Sequence, residues 1–241
     1  MSFSTLNESQ LHKTLKTLYS ELYEGQTEVE KNGYVYDIIT KNGNVIEIQT
    51  KNLSKLLPKI QDTIKENHKI KIVHPIIINR QIKTYDKNRQ LVSNRKSPKR
   101  GHILDLFSEI TGIYSILLNP KFSLEIVEIS MIEERVKTET PVQTQNKKRR
   151  FKRDWIKTGK RLDQIINTRR FNKKEDYLSL LPPLETNEFC AKDLRIALEK
   201  DKNIPSRIYK NPNLIIWVLF HMEILEYTRT EKRSKYYKLK N

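Results

Sequence analysis

The stretch YVYDIITKNGNVIEIQTKN, residues 34–52, decides the fold of the N-terminal part of this 241-residue chain. Its apolar residues alternate with polar ones about the turn signal Lys41-Asn42-Gly43-Asn44, a pattern that predicts a β-hairpin. Two registers compete. A two-residue Asn42-Gly43 turn pairs Asp37 with Ile48 and mixes carboxylates into the apolar face. A three-residue loop, with Gly43 in the left-handed position of a bulge, pairs Thr40 with Asn44. Asp37 then faces Glu47, Val35 faces Gln49, and Tyr36, Ile38, Ile46 and Ile48 form one apolar face. Period-two patterning selects this second register.

Outward from the hairpin, Leu11, Leu15 and Leu18 at helical spacing predict a helix over 7–20, with Asn7 as its cap. Leu56, Leu57, Ile60 and Ile64 place another over 53–67, and β-branched residues make 69–78 a buried strand. A basic stretch spans 79–102, in which Pro98 and Gly101 argue against a regular element over 95–101, followed by a helix from Ile103 to Leu118 and a strand from Ser123 to Ile129. The expectation for residues 1–136 is a mixed α/β domain. Residues 137–153 lack apolar periodicity, end in KKRRFKR and read as a basic linker. Residues 154–241 read as a second domain with helices over 156–170, 191–199 and 214–225. Short strands over 226–228 and 235–239 close it, and this order predicts a winged helix-turn-helix.

Composition narrows the function. Lysine and arginine number 46 against 29 acids, a formal charge of +17 that opposes compaction and points to a polyanionic partner. Nucleic acid is preferred over a membrane surface, because the longest strongly apolar run, Leu214–Phe220, is far short of a bilayer span. The N-terminus lacks the basic start and apolar stretch of a signal peptide, so a cytoplasmic location is expected. Cys190 is the single cysteine, and five scattered histidines make a structural zinc site a poor fit. Neither a GxxxxGK[ST] loop nor a GxGxxG motif is present to signal a nucleotide cofactor.

Asp37 and Glu47 facing each other across antiparallel strands repel, and a hard divalent cation relieves that repulsion. Spacing alone favours the simpler alternative, two solvated carboxylates on an exposed sheet face. The sequence also resembles the PD-(D/E)XK, or restriction-endonuclease-like, nuclease superfamily, through Asp37 and Glu47-Ile48-Gln49 in a helix–strands–helix–strand frame. That resemblance implies Mg²⁺ (or Mn²⁺) held by Asp37, Glu47 and the Ile48 carbonyl, and Glu8 resembles an acid that several members carry on the first helix. EIQTKN followed by SPKRG (97–101) is similar to an uncharacterised prokaryotic family with this core and a winged-helix-like C-terminal region. Two departures stand out. Tyr36 takes a place where proline often precedes the aspartate, and Gln49 replaces the motif lysine. Glutamine orients water but is no general base near neutral pH, which leaves Lys51 or Lys55 to supply a cation.

Phosphate contacts are expected from Arg95, Lys96, Ser97, Lys99 and Arg100, with a helix opening at Ile103 adding its N-terminus. Lys147, Lys148, Arg149 and Arg150 read as nonspecific backbone contacts. In the C-terminal domain, Arg229, Lys232, Arg233 and Lys235 are assigned to the wing and Arg207 to the start of the recognition helix. The sequence therefore predicts a metal-dependent DNA endonuclease or nuclease-like DNA-binding protein. Its rivals are a catalytically inactive regulator or architectural protein on the same fold, and a homodimer or subunit of a larger complex docked through the winged helix.

Overall fold

The computed structural model describes residues 10–143, 152–184 and 186–240. Strand β2 (Tyr34–Ile39) and strand β3 (Val45–Ile48) are joined by the three-residue loop that the pattern selects. The Thr40 amide donates to Asn44 O at 2.9 Å, the Gly43 amide to Thr40 O at 2.9 Å, and Gly43 has φ +72°. The ladder pairs Ile38 with Ile46 and Ile39 with Val45, the register in which Asp37 stands opposite Glu47.

Around this hairpin grows a seven-stranded mixed sheet. Strand β1 (Gln26–Lys31) flanks β2, and β4 (Ile70–Tyr85) runs parallel to β3. Strand β6 (Phe122–Val142) runs parallel to β4, and β7 (Arg153–Phe171) returns antiparallel to β6. The order is β1-β2-β3-β4-β6-β7, with β5 (Leu91–Lys96) hairpinned onto the far half of β4. Helix α1 (Gln10–Leu22) covers one face, where Leu11, Leu15 and Tyr19 pack with Ile38, Ile46, Ile48, Val73, Val127 and Met131. Tyr19 takes the buried place expected of Leu18, which stays exposed. Helix α2 (Leu57–Lys65) lies on the other face, where Ile60 meets Tyr36, Val45, Ile70 and Ile72. Tyr36 and Ile38 thus pack on opposite faces, although strict alternation predicts one. The irregularity lies between them: opposite Asp37 the β1–β2 ladder skips Glu28, which adopts φ +55°.

The remaining elements are α3 (Leu106–Glu109), α4 (Lys174–Leu178), β8 (Glu188–Cys190), α5 (Ala191–Lys200), α6 (Ser206–Tyr209), α7 (Pro212–His221), β9 (Leu225–Glu231) and β10 (Ser234–Leu239). The last strands form a second sheet in the order β8-β10-β9.

Several expectations are corrected. Residues 156–170 are strand, not helix, so the main sheet continues well past the boundary drawn at 154. Register shifts along β6–β7 leave Thr158, Asp163 and Ile166 out of step with the ladder. Each such bulge resets the alternation, and the resulting spacing of Ile156, Leu162, Ile165 and Ile166 imitates a helix. The basic linker is likewise strand at Lys137–Val142 and at Arg153. The basic stretch forms the β4–β5 hairpin as far as Lys96, so Arg95 and Lys96 are strand rather than loop, and the helix expected over 103–118 is a series of short turns around α3. Nor does a linker separate two cores: Phe107, Phe171, Leu194, Val218 and Leu225 belong to one buried cluster. No helix among the described residues is long and apolar enough to cross a membrane.

Gly101 joins the hairpin to these turns. Its amide donates to Ile77 O at 2.8 Å, and an added Cβ would stand 2.8 Å from Ile76 Cγ2 and 2.9 Å from Ile77 O. Gly101→Ala is expected to lower the unfolding free energy by about 1–3 kcal/mol in urea titration, because backbone cannot yield as a side chain does. Gly159→Ala, whose Cβ would meet only Glu134 Oε2 at 3.6 Å, should stay within about 0.5 kcal/mol of wild type.

Candidate functional site

Just beyond the Ile38–Ile46 pair, β2 and β3 stop bonding main chain to main chain. The Asp37 amide donates instead to Glu47 Oε1 at 3.0 Å, and the Ile48 amide donates to Asp37 Oδ2 at 2.9 Å. Each strand's carboxylate thus caps a donor of the other strand, an arrangement that satisfies both amides and draws the two acids together.

Each acid is engaged by a helix. From α1, His12 Nε2 lies 3.3 Å from Asp37 Oδ2, and Lys16 pairs with Glu28 at 2.9 Å. From α2, Lys59 Nζ reaches Glu47 Oε1 at 2.6 Å and Val35 O at 2.6 Å, and lies 4.5 Å over the Tyr36 ring. Glu47 is only 5% exposed. Burial, and next the charge of Asp37, push its carboxyl up to about 7 against the opposing pull of Lys59. Asp37 is also pushed up by burial, but the His12 contact and the Ile48 amide outweigh this and hold it below the usual carboxylate range. One acid is thus held ionised and the other titrates near neutrality, a division of roles typical of reactive sites.

Two carboxylates and the Ile48 carbonyl are hard oxygen donors, and the repulsion felt at Glu47 is what a divalent cation relieves. That donor set suits Mg²⁺ or Mn²⁺. Among the described residues, no group of three or more His, Cys, Asp or Glu side chains is arranged to hold a metal ion. Glu8 lies outside the described residues.

The other expected residues are dispersed. Gln49 turns its side-chain amide to Asn52 O at 3.4 Å, and its own carbonyl accepts from His74 Nδ1 at 2.6 Å. His74 is buried, which lowers its pKa and favours the neutral ring. Lys51 and Lys55 are exposed, and neither is bonded to the carboxylates. Lys59 takes that place, a residue that sequence reasoning missed. It sits one residue from Ile60 on α2, and only its partners from β2 and β3 mark it out.

Ser97 is buried rather than offered to phosphate; its amide donates to Arg80 O and its Oγ accepts from the Lys99 amide. The turn opening at Ile103 is already capped, since His102 Nδ1 accepts from the Leu104 amide and Asp105 Oδ2 from the His102 amide. Arg95, Lys96, Lys99 and Arg100 are exposed. Lys147, Lys148, Arg149 and Arg150 lie outside the described residues. Arg207, on α6, is tied back to Asp105 at 2.6 Å and to Arg100 O at 3.1 Å rather than presented to a groove. Arg229 pairs with Glu188 at 3.0 Å and with Glu231, and stacks over Tyr236. Lys232 and Arg233 form the tight β9–β10 turn at positive φ, and Lys235 is exposed beside them.

The chain is 28% identical over 198 residues to an uncharacterized protein of Treponema pallidum (strain Nichols), an overlap of 80% of this chain and 74% of the relative. No solved structure matches it. A family model described as a domain of unknown function, DUF8091, matches residues 9–172 and ends one residue after β7 does. The stretch that carries the whole main sheet and both acids is therefore the family's own domain, and the chain belongs to the DUF8091 family.

Proposed function

We propose that the protein is a metal-dependent DNA nuclease of the restriction-endonuclease-like kind. The observation that carries the reading is the trio at the opening between β2 and β3: Asp37, Glu47, and Lys59 with its ammonium 2.6 Å from Glu47. Lys59 supplies from α2 the cation that the motif places two residues after Glu47, where this chain has Gln49. Asp37, Glu47 and the Ile48 carbonyl would hold Mg²⁺ or Mn²⁺, which supplies Lewis-acid polarisation of a phosphodiester. Lys59 offsets negative charge that gathers at the reacting phosphate. Burial of Glu47 and Lys59 keeps both in place before substrate arrives.

The C-terminal elements, in the order β8, α5, α6, α7, β9, β10, read as a winged helix whose wing is the Lys232–Arg233 turn. Its α7 is a poor groove reader. Trp217 packs edge-to-face on Tyr114 at 5.5 Å and stacks on His221 at 3.9 Å, so the outer face of α7 meets the α/β part instead. Within this reading the helix docks and the wing contacts DNA.

A second reading, a DNA-binding protein without catalysis, is favoured by the side chain of Gln49, which is turned onto Asn52. The two diverge in a cleavage assay on single-stranded, duplex and branched DNA with Mg²⁺ or Mn²⁺. The nuclease reading expects cleavage that Asp37→Ala and Glu47→Ala each abolish while leaving DNA binding intact. Binding that ignores metal and both substitutions, without cleavage, supports the second reading.

Metal binding should also titrate. A ligand must be deprotonated to bind a cation, and Glu47 ionises only as pH rises through about 7. Mn²⁺ affinity by calorimetry is expected to rise roughly tenfold from pH 6 to pH 8, following the ionised fraction. A flat profile excludes Glu47 as a ligand.

Lys59→Met leaves Glu47 buried without its partner and should cost about 3–5 kcal/mol at pH 8 in urea unfolding. The folded pKa of Glu47 lies above its unfolded value, so stability falls as pH rises toward and through about 7. The loss should therefore be smaller at pH 5, where Glu47 is protonated, and Lys59→Met with Glu47→Gln should recover part of it.

A further inference from the structure

The sheet face that α1 covers runs on past Met131 and Leu162 into a row of cations. Ile82 on β4 pairs with Arg95 on β5 and with Glu133 on β6, and Glu133 pairs with Lys160 on β7. Directly paired residues share a face, so Arg95, Glu133 and Lys160 stand in line across four strands. Arg80, two residues before Ile82, lies on the same face opposite Met131.

The one acid in this row is spent within it. Glu133 accepts from Arg135 Nη2 at 2.6 Å and from Lys157 Nζ at 2.9 Å, with Arg80 Nη1 at 4.0 Å. Burial pushes its carboxyl up, but the bonds from Lys157 and Arg135 outweigh that and hold it at about 2. The cations outnumber it. Burial first, and then the charges of Lys157, Lys51 and Arg80, bring Lys160 down to about 8. Arg80 Nε is buried without a hydrogen-bond partner. Trp155 is stacked on Arg135 at 3.6 Å and on Arg153 at 4.3 Å.

Arg80 and Lys160 are half-buried beside the exposed Lys51 and Arg95, and crowded cations with an orphan donor are suited to an anionic partner. The row is too wide for one phosphate: from β5 to β7 it spans three strand spacings, roughly 14 Å at about 4.8 Å each. Lys51 joins it to the candidate site, lying four residues beyond Glu47 and close enough to Lys160 to depress its pKa.

We propose that Lys51, Arg80, Arg95 and Lys160 form a track that binds successive phosphates of a DNA backbone and leads it to Asp37 and Glu47. The proposal rests on the nucleic-acid reading above, but its test does not require cleavage. The measurement is anisotropy of a labelled DNA duplex in EDTA over a salt series. It compares wild type, the double variant Lys51→Gln with Lys160→Gln, the exposed-site variant Arg95→Gln and the charge-keeping Lys160→Arg, each checked for folding by thermal melting. The double variant is expected to bind at least about tenfold more weakly, with a log–log salt slope shallower by roughly two. Arg95→Gln should flatten the slope by roughly one, and Lys160→Arg should match wild type.

Unchanged affinity and slope in folded Arg95→Gln and in the folded double variant overturn the track. So does saturable binding of tripolyphosphate that these variants lose while duplex binding stays the same, since the cations then serve a free anion. If the double variant does not fold, Arg95→Gln decides alone. Weakened duplex binding together with a wild type that cleaves nothing keeps the track and sinks the nuclease. Cleavage by wild type with unaltered binding in the variants does the reverse.

Discussion

The arrangement rests on two main-chain amides that do not find a ladder partner. Where β2 and β3 part, the amides of Asp37 and Ile48 face an opening, and an unbonded buried amide costs on the order of 1–3 kcal/mol. The carboxylates of Glu47 and Asp37 fill both vacancies reciprocally. This draws two negative charges into one small space, which is expensive in its own right. The cost is spread over both layers of the fold: His12 approaches from α1 on one side and Lys59 from α2 on the other. Neither helix merely covers the sheet, because each brings a charge-bearing side chain to the strand opening. The backbone of Glu28 at φ +55° opposite Asp37 belongs to the same distortion, strain held in place by the pairing of its carboxylate with Lys16.

This explains what the sequence made legible. The hairpin register could be read because one residue of slip would have turned Ile46 and Ile48 away from the face that α1 covers, and Gly43 suits the left-handed loop position. That Tyr36 and Ile38 belong to opposite faces was hidden, since it follows from the amide of Asp37 leaving the ladder and not from residue type. Lys59 was equally hidden. On its helix it looks like any surface lysine beside an apolar stripe, and its role appears only when Val35 O and Glu47 converge on it from other elements. Strand β7 failed for a different reason. It carries a largely exposed face and three bulges, so neither burial nor strict alternation marked it as a strand.

The basic excess also divides once it is placed in three dimensions. Part is consumed internally: Arg207 by Asp105, Arg229 by Glu188 and Glu231, Lys71 by Glu125. These residues hold elements together, and their charge contributes little to an outward field. Arg80 and Lys157 meet instead at a single acid, Glu133, with Lys160 paired to it across the ladder, Lys51 near Lys160, and Arg95 two strands away in the same row. Sequence reasoning ranked basic segments by local density and so favoured runs such as 95–100. The sheet ranks them by register, and it assembles this cation group from three strands and a loop, no two of its members adjacent in sequence.

The C-terminal elements then acquire a mechanical meaning. Arg207 bonds both the Arg100 carbonyl and Asp105, so the segment that follows SPKRG is fastened to α6 at the point where β5 ends its excursion from the sheet. Val218 and Leu225 share a buried cluster with Phe107 and Phe171, and Trp217 sits against Tyr114. A module that spends its central helix on such a contact has little left for reading a groove, and it cannot swing freely about a linker. What it gains is fixed geometry: the basic β9–β10 turn is carried at a set place relative to the sheet. Were these C-terminal elements a mobile tether, any affinity of theirs for a polyanion would add to that of the cation row only through effective concentration. Held rigidly by a shared apolar core, the module would, under the proposed nucleic-acid reading, constrain a bound duplex to one orientation, because such a partner must satisfy both positive surfaces at once.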